Sequence, residues 1–162
     1  MRAVKLFFLR HGLADRSAWS GDDFARPLTQ HGVDRMILEA ETIAKLDLPL
    51  DAILTSPLKR ALQTAEIVAE QLNLLDRLKV DERLSPGFGR ADLLAILEDH
   101  TYAEALMFVG HEPDFSYTIE GIIGGGTVVC KKGSLARVDL TDAGVLSGEL
   151  VWLIPPKALA IE

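Results

Sequence analysis

The chain is poor in cysteine. Cys130 is the only one among 162 residues, so an intrachain disulfide and a cysteine metal cluster are both excluded. A lone thiol points to a reducing compartment. Long apolar runs are missing too: none approaches the ~20 residues that span a bilayer. The run "VKLFFL" is too short for the apolar core of a signal peptide, and no small-residue cleavage site follows it. A cytoplasmic location is therefore expected. Basic excess is also absent, since 17 Lys and Arg stand against 24 Asp and Glu, a net charge of −7. Nucleic acid and acidic membrane surfaces need a basic stripe, so neither is expected as a partner. A small phosphorylated group needs only a local positive pocket and stays open. The sequence holds no H-E-x-x-H and no carboxylate cluster, so neither a metal nor another cofactor is expected. Linkers, repeats and low-complexity segments are lacking as well.

Hydrophobic residues make up 48% and charged residues 25%, a globular composition. The length suits one domain over residues 1–162 with one sizeable core. Apolar runs and helical periodicities alternate. "AVKLFFL" is continuous, as in a strand buried on both faces. Residues 16–28 are polar, with Gly21 and Pro27, and form a loop. Thr29 suits an N-cap, after which Val33, Met36, Ile37, Ala40, Ile43 and Ala44 follow at helical spacing. "LDAILTS" reads as a second strand. Ser56 and Pro57 read as the cap and first residue of the next helix. "LKVDERL" is expected as a third strand, "RADLLAILEDH" as a helix, "ALMFVGH" as a fourth strand and "PDFSYTIEGII" as a further helix. "SLARVDL" and "GELVWLI" form an antiparallel pair. The expected fold is α/β: a three-layer sandwich, its central sheet mostly parallel, with helices on both faces.

Ligands of open α/β sheets bind at the carboxyl ends of the strands. Four motifs fall there: "RHG", "TSPLKR", "DERLSPG" and "GHEP". Arg10, His11, Arg60 and His111 can thus converge across a hundred residues. Two arginines facing one point need an anion between them. A neutral imidazole can attack phosphorus, and a histidine between arginines should have a lowered pKa. This is the inventory of phosphoryl transfer. Each residue alone is better read as structural; the combination is not. His31 and His100 are expected at the surface. "GGGTVVCKKGS" lacks P-loop spacing and reads as a helix end and turn.

At these residues the sequence resembles the histidine phosphatase, or phosphoglycerate-mutase-like, superfamily. "LRHG" is similar to its nucleophile signature, "ARPLTQHG" to its LTxxG helix start, "TSPLKRALQTAE" to its second arginine motif and "VGHEP" to its second histidine. The resemblance implies a phosphoglycerate-mutase-like fold and transient phosphorylation of His11. It also implies phosphoryl binding by Arg10, Arg60 and His111, then hydrolysis by water. The short length, "RPLT" and "LSPGFG" are similar to the small SixA-type phosphohistidine phosphatases. That implies a phosphorylated protein, such as a phosphotransfer domain, as partner. In mutases a glutamate after the third strand protonates the leaving oxygen, and Glu82 is the candidate here. Asp15, Asp22 and Asp23 are lesser candidates. Weak acid catalysis would favour P–N bonds, because imidazole leaves more easily than an alkoxide. Small phosphate monoesters and a non-catalytic phosphate-binding module are the competing readings. A mutase is disfavoured, because nothing resembles an inserted lid.

Overall fold

The computed structural model describes residues 2–17 and 19–162. Six strands form one sheet: β1 (Val4–Arg10), β2 (Ala52–Thr55), β3 (Leu78–Val80), β4 (Ala105–Gly110), β5 (Leu135–Asp142) and β6 (Ser147–Ile154). Their order is β3-β2-β4-β1-β5-β6. The first four strands run parallel, while β5 runs antiparallel to both β1 and β6. The helices are α1 (Gln30–Lys45), α2 (Lys59–Gln71), α3 (Arg90–Asp99), α4 (Asp114–Ile123) and the short α5 (Pro156–Leu159).

The apolar run of β1 is continuous because both faces of the strand are covered. Leu6 and Phe8 pack with residues of α3 and α4. Phe7 and Leu9 pack with residues of α1 and α2 on the other face. Alternation of side chains across a strand divides the run between two layers. Each large side chain so buried contributes about 1.5–3 kcal/mol. Helix α1 starts where Thr29 accepts the Gly32 N–H at 2.9 Å. It buries Met36, Ala40 and Ile43, one stripe at helical spacing. Helix α4 stops at Gly124, whose φ of +92° is favourable only for glycine, so this glycine run is indeed a helix end and turn.

The register fixes what meets at the carboxyl ends. Arg10 pairs with Gly110, so His11 and His111 leave neighbouring strands side by side. Thr55 pairs with Val109, and the Ser56 N–H donates to the Val109 carbonyl at 3.0 Å, which sets Ser56 beside the same point.

Three expectations are corrected. The third strand ends at Val80 rather than Leu84. Asp81 accepts from the Arg83 N–H and holds the Arg83 guanidinium, so the chain turns into a 3-10 helix over Glu82–Leu84. Helix α2 begins at Lys59, not Pro57, because Leu58 keeps an extended backbone, with ψ of 136°. His100 is buried, at 9% exposure, because it closes α3: its Nδ1 donates to the Ile96 carbonyl at 2.8 Å. His31 is exposed.

Candidate active site

A cavity of about 610 Å³ lies at the carboxyl ends of β1 and β4. Arg10, His11, Arg60 and His111 all line it. The structure therefore brings together the four residues that the strand-end argument selects. His11 and His111 are 5% and 4% exposed, so they form a floor rather than an open rim. Their ring centroids are 5.3 Å apart.

Local structure fixes the state of His11. Its Nδ1 lies 2.7 Å from the Gly12 carbonyl, which can only accept, so Nδ1 carries the proton. In the neutral ring Nε2 then holds the lone pair. The Gly12 N–H donates to Thr64 Oγ1 at 3.1 Å, and Thr64 Oγ1 donates to the Arg60 carbonyl at 2.8 Å. These bonds tie the turn after β1 to the first turn of α2, which carries Arg60. Gly12 is needed for close approach: a Cβ there would come within 2.8 Å of Met36 Cγ.

Burial lowers the His11 pKa to about 3, overcoming the bond to Gly12, and His111, Arg60 and Arg10 add to the shift. The arginine effect expected from the sequence is present, but loss of water is larger. Burial also lowers His111, to about 4, with Arg60 and Arg10 contributing. Both rings are neutral at pH 7.

The arginines are held from behind. Arg10 Nη1 donates to the Cys130 carbonyl at 3.0 Å. Arg60 Nη1 and Nη2 donate to the carbonyl and carboxylate of Asp23 at 2.9 and 3.3 Å. Among the described residues, Arg10 Nε, Arg60 Nε and His111 Nδ1 are buried nitrogens without a protein partner. An unpaired buried N–H costs about 1–3 kcal/mol. All three residues line the cavity, whose positive charge suits an anion, and the neutral His11 ring keeps its lone pair on Nε2.

The sequence profile of the histidine phosphatase superfamily (branch 1) matches residues 6–114. The chain belongs to the histidine phosphatase superfamily. An uncharacterised protein of Picosynechococcus sp. strain PCC 7002 is 40% identical over 126 residues, covering 76% of each chain. Phosphohistidine phosphatase SixA of Escherichia coli K12 is 28% identical over 158 residues, 94% of each. A solved structure of the protein histidine phosphatase SixA complexed with tungstate superposes with a TM-score of 0.84 at 27% identity, covering 96% of this chain and 99% of that one.

Glu82 does not join the cavity wall. It is exposed on the 3-10 turn after β3, because that turn replaces the expected strand end. Asp15 and Asp23 do line the cavity, whereas Asp22 does not. Burial alone would raise the Asp23 carboxyl, but Arg26 and Arg60 hold it below its usual range, so it is a carboxylate. Sequence reasoning overlooked Arg26, Glu112 and Lys132, all in the wall. Arg26 is 5% exposed, binds Asp23 Oδ1 at 3.2 Å and donates to the Ala14 carbonyl. Its signal was the arginine of "RPLT", next to the helix cap. Glu112 follows His111 directly; it accepts from the Ser116 N–H at 2.8 Å and from the Ser116 hydroxyl. Lys132 lies in a turn with no pattern to mark it. Cations thus dominate the wall locally, although the chain is acidic overall.

Proposed function

We propose that this protein is a phosphohistidine phosphatase that acts on a phosphorylated protein partner through a phosphorylated His11. The meeting of Arg10, Arg60 and His111 with His11 in one cavity carries this reading. Nε2 attacks phosphorus, and the P–N bond of the substrate histidine breaks as the bond to His11 forms. Arg10, Arg60 and His111 hold the phosphoryl oxygens. The departing imidazole leaves neutral if its other nitrogen already carries a proton. Water then attacks phosphorus, the bond to His11 breaks and phosphate is released. The lone buried thiol of Cys130 suits a reducing cytoplasm.

The states of Asp23 and Glu82 favour a nitrogen leaving group. An alkoxide needs a proton in the transition state. Asp23 is held ionised by two arginines and Glu82 is outside the cavity, which leaves Asp15 and Glu112 as the other carboxyls in the wall. The similarity to SixA points the same way. A substrate panel tests the reading. The kcat/KM for a phosphohistidine peptide should exceed those for a phosphoserine peptide and a sugar phosphate by at least about tenfold, the effect of roughly 1.4 kcal/mol in the barrier. Faster hydrolysis of the sugar phosphate would overturn it.

A further inference from the structure

Ser56 is fully buried between β2 and α2. Its hydroxyl accepts the Leu58 N–H at 3.2 Å, which by itself is an ordinary turn contact. The same oxygen lies 2.8 Å from His111 Nε2. A serine hydroxyl has one proton to give, and among the described residues no other acceptor is within reach of it. If His111 donated from Nε2, Ser56 would accept twice and its own proton would be left buried and unpaired. If Ser56 donates to Nε2, the hydroxyl is satisfied and the unpaired proton lies instead on His111, which lines the cavity as Ser56 does not, so that an anion bound there can take it. His111 then carries its single proton on Nδ1, the nitrogen without a protein partner.

We propose that Ser56 is a positioning residue that fixes His111 as the Nδ1–H tautomer and thereby turns an N–H, not a lone pair, toward the phosphoryl oxygen. The tautomer rests on an anion binding in the cavity, and the use of that N–H in turnover rests on the phosphatase reading. The choice matters because His111 is neutral at pH 7 and so has one proton to place. Free imidazole side chains prefer the Nε2–H form. Without Ser56 the ring would drift toward that form and present a lone pair to an anionic oxygen. Arg10 and Arg60 would then hold the phosphoryl group against a repulsive third contact.

The geometry explains why this serine is in place. Parallel pairing sets Thr55 opposite Val109, so the residues after each strand end meet at a fixed offset. The Ser56 N–H is spent on the Val109 carbonyl at 3.0 Å, which aims the side chain rather than the backbone at His111. A tautomer set by the partner of the second nitrogen is the usual way histidines are oriented in active sites.

Nitrogen-15 NMR of the histidine rings in the full chain, at pH 7 with and without inorganic phosphate, tests this directly. The wild-type His111 ring should show a protonated Nδ1 and an unprotonated Nε2. In Ser56→Ala the Nε2-protonated form should become substantial, and kcat/KM for p-nitrophenyl phosphate should fall at least about tenfold. Ser56→Thr, which keeps the hydroxyl, should restore both. A wild-type ring protonated on Nε2 would overturn the proposal even if no variant folds. So would an unchanged His111 ring in Ser56→Ala, since activity lost without it marks a merely structural role. A ring that behaves as expected in a protein with no phosphatase activity would sink the functional reading and leave the tautomer assignment standing.

Discussion

Arginine and histidine occur at both ends of the sheet, and the two ends treat them differently. Before β1, Arg2 gives Nη1 to the Leu97 carbonyl at 3.1 Å and Nη2 to those of His100 and Ala103 at 2.6 and 2.8 Å. Nearby, His100 gives Nδ1 to the Ile96 carbonyl. After β1 and β4, Arg10, Arg60 and His111 each keep one buried nitrogen with no partner. The first set closes the fold on itself. The second set keeps nitrogens that no described residue satisfies, all on side chains that line one cavity. Native proteins tolerate few such groups, and they collect where something binds. Residue type alone therefore does not mark the site; unpartnered nitrogens on several residues of one cavity do, whereas Glu39 and Ser134 hold single unpartnered atoms outside it.

Substitutions at the two ends of the sheet should separate activity from stability. Arg60→Ala removes a charge-assisted bond worth about 1.5–3 kcal/mol, so kcat/KM should drop roughly 10- to 150-fold. Arg2→Ala should do the reverse. It leaves carbonyls unpaired and should cost about 1–3 kcal/mol, lowering Tm by about 2–4 °C per kcal/mol, with kcat/KM held within about twofold. Calorimetry and steady-state kinetics on the same two proteins check both halves.

The buried rings of His11 and His111 make stability depend on pH. Their folded pKa values are about 3 and about 4. Unfolded, both lie near ~6.5. Between those limits the unfolded chain binds more protons, so stability falls as pH falls. Each ring should contribute up to about 1.4 kcal/mol per pH unit below pH 6.5. Urea unfolding at pH 7, 6 and 5 should show this slope, and His11→Asn should flatten it. The smallest effect is expected at Glu82: Glu82→Gln should leave kcat/KM within about twofold, because the side chain faces solvent. A sharp loss with sugar phosphates would restore Glu82 as an acid.

The parallel sheet was legible because strands buried on both faces leave continuous apolar runs, as in "AVKLFFL" and "ALMFVGH". Strand ends then carried the convergence of Arg10, His11, Arg60 and His111. The stretch after Val80 was not legible. Whether Glu82 continues a strand or enters a turn depends on Asp81 gripping Arg83, a contact between neighbours that periodicity does not register. The Asp23 bridge between Arg26 and Arg60 escaped for another reason. It joins a loop to a helix 37 residues away, and no spacing announces it. His100 was misplaced because its burial depends on the closing of α3 rather than on its own polarity.

The most direct test of the account is to trap the enzyme during turnover of a phosphohistidine peptide labelled with radioactive phosphate. Rapid quench in alkali, which preserves phosphohistidine, followed by peptide mapping, locates the label. The account predicts label on Nε2 of His11 and none on the His11→Ala protein, which should also have lost turnover. Turnover by the wild-type protein without label on His11, or full activity in His11→Ala, would contradict it.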